Sequence, residues 1–198
     1  MRPLRIEFPG ATWHVTSRGV EKRNIFLSNR DRNHFLTILA NVVENHRWCL
    51  YAYVLMSNHY HLLLTTPEPN LSAGMQKLGG IFAQRFNATY GRWGHLFGGR
   101  FKSHSVGDGA YLLSAARYIV LNPVRAGLTI TAGEWRWSSY AATAGVVRAP
   151  NWLAADALLR EFHPEREIAM AYYLEFVAAG TPEANGDANS GVRPLYGT

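Results

Sequence analysis

WCLYAYVLMSNHYHLLLT (residues 48–65) is a pair of apolar runs hinged on two polar residues. Residues 48–56 read as one strand and residues 59–65 as the next, antiparallel to it, with Ser57 and Asn58 as the tight turn between them. Side chains alternate along a strand, so His59 and His61 stand side by side on one face while Tyr60 and Leu62 take the other. Paired imidazoles at this spacing can share one divalent ion if a third donor arrives from elsewhere. They fit equally a pair of hydrogen-bonded histidines beside a core. Two neutral nitrogen donors leave manganese, magnesium, zinc and nickel all open.

Working outward, residues 11–17, ATWHVTS, form a strand with Trp13 and Val15 on one face and His14 and Thr16 on the other. Ser28 or Asn29 caps a helix that runs to about Asn45, with Phe35, Leu36, Leu39, Val42 and Val43 as its apolar stripe. A second helix spans about Leu71 to Tyr90 and turns Met75, Leu78, Phe82 and Phe86 inward. Residues 97–105 are the candidate fourth strand. Asp108 suits the cap of a third helix over 109–121, which closes before Pro123. The order to residue 105 is β-α-β-β-α-β, which predicts an α+β, ferredoxin-like core: a four-stranded antiparallel sheet with helices on one face. The helix over 109–121 is an addition to it. Trp135, Trp137 and Tyr140 mark a packed aromatic turn region, and residues 152–160 and 164–178 read as two short helices. The division expected is a domain over 1–145, a helical extension over 146–180 and a flexible tail over 181–198.

The formal net charge of +6 is unevenly spread. Residues 1–125 carry a balance of +9 and residues 126–198 a balance of −3. The basic residues include 17 arginines, which suit forked contacts to phosphate. A field of this sign attracts polyanions such as nucleic acid; a solvated basic face with no partner is the plain alternative. A single cysteine, Cys49, argues against a disulfide framework and a cysteine-based zinc site. No apolar run is long enough for a membrane span, and MRPLRIEFPG lacks the apolar region of a signal peptide, so a cytoplasmic location is the expectation.

AARYIVLNPVRAG (115–127) places Tyr118 and Asn122 one helical turn apart on one face. Asn122 could complete a metal site with His59 and His61 through its amide oxygen, and Tyr118 could present its phenol to a phosphate held there. A phenol is a poor nucleophile at neutral pH because it is almost fully protonated. A divalent cation helps by polarising the phosphate. Attack by tyrosine would keep the phosphodiester bond energy in a covalent intermediate, so that a new strand could be joined. The plain alternative for Tyr118 is a half-buried residue of an amphipathic helix.

Arg18, Lys22 and Arg23, with Arg30 and Arg32, cluster after the first strand; Arg92, Arg100 and Lys102 lie around the fourth; Arg117 and Arg125 flank Tyr118. These are the candidates for DNA-backbone contacts. Trp93, Phe97 and Phe101 could stack on unpaired bases, although at least one of the two phenylalanines fits the core better. His95, His104, Asp108 and Glu44 are further possible ligands or acid–base groups for which structural roles suffice.

Taken in order, HVTSRG (14–19), NIFLSNRDRNHFL (24–36), YVLMSNHYHLLL (53–64), LFGGRFKS (96–103), YIVLNPVRAGL (118–128) and WSSY (137–140) resemble the REP-associated tyrosine transposases, a branch of the single-tyrosine HUH transposases of the insertion-sequence type. The resemblance covers about residues 8–145. It implies that His59 and His61 are the metal-binding histidines, Asn122 the polar residue completing the site, and Tyr118 the nucleophile. It implies magnesium or manganese as the ion, a 5′-phosphotyrosine with a free 3′-hydroxyl as the product, and single-stranded DNA beside a short imperfect REP-type hairpin as the substrate. A monomer or a homodimer is compatible with it. Ser57 departs from a common proline, Val120 from a frequent histidine, and Gly98 or Gly99 from a frequent glutamine; none of these removes a proposed catalytic atom. Two other readings share parts of this pattern. One is a non-enzymatic RNA-binding module on a ferredoxin-like sheet, which would show aromatics on its central strands. The other is a metal-dependent nuclease that uses water and has no need of Tyr118.

Overall fold

A computed structural model describes residues 6–107 and 109–181. Four strands, β1 (Ala11–Arg18), β2 (Cys49–Leu55), β3 (His59–Thr66) and β4 (Lys102–Ser105), form one sheet in the order β2-β3-β1-β4. All three pairings are antiparallel. Two helices, α1 (Asn29–Asn45) and α2 (Leu71–Tyr90), complete the ferredoxin-like β-α-β-β-α-β order.

The local reasons are visible in each element. The β2–β3 turn closes through a bond from the Met56 amide to the His59 carbonyl (2.9 Å), which leaves Ser57 and Asn58 as the two loop residues. Ser28 caps α1 with a reciprocal capping box: its side chain accepts from Asp31 N while the Asp31 carboxylate accepts from Ser28 N. α2 ends on Gly91, whose left-handed φ of 59° stops the helix at no steric cost.

Helices α1 and α2 cover one face of the sheet. There Trp13, Val15, Tyr60, Leu62 and Leu64 pack against Phe35, Leu39, Leu78 and Phe82 in one apolar cluster. The added helix, α3 (Ala110–Val120), covers part of the opposite face. Its Leu112, Ala116, Ile119 and Val120 join Ala52, Val54 and Leu63 in a second cluster. A short helical turn, α4 (Asn122–Arg125), continues from it. The helices α5 (Tyr140–Thr143), α6 (Ala155–Arg160) and α7 (Arg166–Ala178) follow, and Leu158, Leu159, Ala169, Tyr173 and Val177 extend the second cluster.

The fourth strand is shorter than expected. Regular pairing starts at Lys102, although Phe97 forms an isolated bridge to Gly19 and the Gly98 amide bonds Arg18 O (3.0 Å). Between these points Gly99, at φ 150°, turns the chain out of the sheet, so residues 98–101 loop past the β1 edge. Phe97 and Phe101 both pack against the first core cluster. Asp108, expected to cap α3, lies outside the described residues, as does the expected tail apart from Thr181. Among the described residues, no helix is long and apolar enough to cross a membrane.

Candidate active site

The open part of the second sheet face, beside α3, gathers the chemistry. β3 brings His59 and His61 there with their rings 5.1 Å apart and edge-on. The antiparallel register sets Thr16 opposite His61 and Arg18 opposite His59. It also brings up His14, whose Nε2 lies 2.8 Å from His61 Nδ1; Thr16 Oγ1 lies 3.0 Å from the same nitrogen. His104 of β4 is paired in register with His14. From α3, the Tyr118 ring meets both His14 (5.8 Å between centroids) and His61 (5.9 Å) edge-on.

Of these groups, His14, His61, His104 and Tyr118 line a pocket of about 460 Å³ together with Arg18, Lys22, Arg100, Lys102 and the acidic Glu21; His59 is not among its lining residues. A larger cavity of about 1160 Å³ runs between α2 and the 94–101 loop, and shares Ser17, Gly98, Gly99 and Arg100 with the first. The smaller one holds the reactive groups.

Burial keeps the histidines neutral. It lowers His59 to about 4, helped by the neighbouring Arg18 charge. It holds His61 well below 6.5, reinforced by His14, His59 and Arg18. His14 is lowered to about 4, by burial and then by His104. A neutral imidazole is the form that ligates a metal. His59 Nδ1–H donates to Asn58 Oδ1 (2.6 Å), and Asn58 Nδ2 donates in turn to Lys22 O (3.0 Å), so the Nε2 lone pair of His59 is left for an ion. The donor chemistry of the pair therefore fits a divalent cation. Among the described residues, no cluster of three or more His, Cys, Asp or Glu side chains is placed to hold one.

The other expected residues divide. Asn122 is not among the pocket's lining residues; its amide nitrogen donates back to Tyr118 O (2.9 Å) and Ile119 O (3.4 Å). The Arg125 guanidinium stacks over the Tyr118 ring at 4.9 Å. Arg117 is turned to α7: it stacks on Phe176 at 4.0 Å and donates to Phe176 O. Arg23 pairs with Glu21 at the surface, and Arg32 stacks over Phe26 and Trp137. Trp93 is 96% exposed and stands clear of the pocket. His95 lines the larger cavity.

Three contributors escaped the reading from sequence. Asn58 was legible only as a turn residue. His14 and Thr16 were legible as a polar face of β1, but nothing local says which strand that face meets. The rim has one further oddity: Glu21 (φ 53°) and Lys22 (φ 59°) are consecutive left-handed residues, a conformation unusual outside glycine, and they place Lys22 at the pocket with its carbonyl bonded by Asn58.

A family model described as "Transposase IS200 like" matches residues 9–122. Among solved structures, a REP-associated tyrosine transposase bound to a REP hairpin superposes with a TM-score of 0.61; it is 21% identical over 76% of this chain and 88% of that chain. A transposase-like protein from Deinococcus radiodurans gives a TM-score of 0.42 at 20% identity, covering 55% of this chain and 88% of that one. No curated protein matches.

Proposed function

The chain belongs to the IS200-like transposase family, and on that premise we propose that it nicks single-stranded DNA with Tyr118 and rejoins the strands by reversing the same step. One observation carries the reading: a single tyrosine stands edge-on to two buried neutral imidazoles in a pocket lined by four cations and one carboxylate.

In the reaction, Tyr118 Oη attacks the scissile phosphorus and the bond from phosphorus to O3′ breaks. The phenol loses its proton and the departing O3′ gains one, which leaves a 5′-phosphotyrosine and a free 3′-hydroxyl. Attack by a 3′-hydroxyl on that linkage restores a phosphodiester. Arg18, Lys22, Arg100 and Lys102 would hold the backbone phosphates that flank the cut. Arg125, stacked on the nucleophile's ring, orients it and adds positive charge beside the incoming phosphate. Trp93, fully open to solvent, offers a face for an unpaired base.

His59 and His61 would hold a magnesium or manganese ion, with Asn122 Oδ1 as the candidate third protein donor. When bound, that ion supplies Lewis-acid polarisation of the scissile phosphate. The solved relative was bound to a REP hairpin; the substrate proposed for this chain is likewise single-stranded DNA beside a REP-type hairpin.

The test is to incubate the protein with labelled hairpin DNA and manganese and look for a denaturant-stable covalent adduct. Wild type is expected to form it, and Tyr118→Phe to form none. Cleavage that persists in Tyr118→Phe would show a water-based nuclease instead. Hairpin binding without metal-dependent cleavage would show a binding module.

A further inference from the structure

The two histidines of the proposed metal site are held by different partners, and only one arrangement defines itself. For His59 the hydrogen is settled: Asn58 Nδ2 is committed to Lys22 O, so Asn58 Oδ1 faces His59 and its Nδ1 must donate. For His61 it is not settled by distance. Its Nδ1 meets His14 Nε2 at 2.8 Å and Thr16 Oγ1 at 3.0 Å, and each of these atoms can give or take a hydrogen.

Metal binding discriminates between the two possibilities. Were His14 Nε2–H the donor, a neutral His61 would carry its own hydrogen on Nε2, which closes that nitrogen to an ion. With the hydrogen on His61 Nδ1, the Nε2 lone pair is bare and matches that of His59. We propose that His14 is a positioning residue: it accepts the His61 Nδ1–H, locks that ring in the ligating tautomer, and at the same time braces Tyr118. The inference rests on the function proposed above.

His14 is suited to this. It is 4% exposed and His61 is 6% exposed, so water does not compete for the bond. A neutral ring that accepts at Nε2 carries its own hydrogen on Nδ1. Its ring meets Tyr118 at 5.8 Å and His61 at 5.1 Å between centroids, so one side chain touches both the nucleophile and the ligand. Thr16 supports either tautomer, because a hydroxyl both donates and accepts, and so cannot choose between them. Outer partners of this kind typically change metal affinity by about 10–100-fold when removed.

The experiment uses full-length protein with 15N-labelled histidine and no metal. A long-range 1H–15N correlation spectrum is expected to show His61, like His59, protonated on Nδ1 and bare on Nε2. Free Mn²⁺ is then followed by electron paramagnetic resonance during titration. His14→Leu should weaken Mn²⁺ binding by about 10–100-fold, and His14→Gln, whose Oε1 can reach the place of Nε2, should recover most of it. A His61 protonated on Nε2 in the metal-free wild type overturns the proposal. So does unchanged Mn²⁺ affinity in a His14→Leu protein that melts like wild type. Should His14→Leu fail to fold, the wild-type spectrum decides alone. A missing tyrosine adduct with intact Mn²⁺ binding would sink the strand-transfer reading and leave this one standing.

Discussion

On the face toward α1 and α2, strands β1 and β3 present Trp13, Val15, Tyr60, Leu62 and Leu64, all buried. On the reverse, neighbouring positions of the same strands present His14, Thr16, His59 and His61. The first face is a block of rings: Phe35 meets Tyr60 at 4.6 Å, Phe82 at 5.2 Å and Phe26 at 5.4 Å. The second is divided. Near β2 it is apolar and capped by α3, whereas near β4 it is polar and open, with Lys102 and His104 exposed. The difference shows how a small protein holds a reactive cluster still. Each histidine is flanked in sequence by a side chain anchored in the opposite core, so its Cα has little freedom. A one-residue slip in register would exchange the faces, and burial of the first face prevents it.

That contrast can be broken from the dry side first. Phe35→Ala is expected to cost about 3–5 kcal/mol in urea unfolding, the largest stability loss among these tests. Mn²⁺ affinity of the molecules that remain folded should stay unchanged; a large change there would mean the faces are not separable.

Acidification probes the polar side. His14 and His59 titrate near 4 in the folded chain, against an ordinary value of 6.5. Below 6.5 the unfolded chain takes up protons that the folded one refuses. Stability is therefore full above about pH 6.5 and falls as the pH drops toward 4. For metal-free protein the loss should be on the order of 3 kcal/mol for this interacting cluster, read as urea midpoints at pH 7.5 and pH 4.5. Replacing both histidines with glutamine should reduce the slope and leave the part that buried His61 contributes; an unchanged slope would place the effect elsewhere.

The smallest effect sharpens the contrast by lying outside both faces. Ser28→Ala removes the cap of α1 and should lower stability by about 1 kcal/mol. Adduct formation should not change, since Ser28 touches none of the pocket groups. A drop in adduct yield larger than the drop in folded fraction would show that α1 reaches the site.

Much of this arrangement was legible in the chain itself. α2 spans Leu71–Tyr90 as its apolar stripe predicts, and α1 starts on Ser28, one of the two caps expected. The pairing of His59 with His61 follows from strand alternation alone. Where reading failed, the deciding force was not local. Residues 97–105 read as one strand, yet after the Phe97 bridge the chain leaves the sheet at Gly99 and pairs again only from Lys102, while both phenylalanines pack against the core. The surroundings of Arg117 were equally illegible: it stacks on Phe176 of a helix that follows much later.

Short-range rules thus decided the elements, their caps and the side of each strand on which a residue falls, because periodicity and turn chemistry act over a few neighbours. Strand order, register and the face that α3 covers depend on contacts between distant segments. His14 and His61 are 47 residues apart, and only the β1–β3 ladder makes them neighbours. The paired histidines could be seen in one line of sequence; the partners that hold them, Asn58 and His14, acquired that role when the sheet closed.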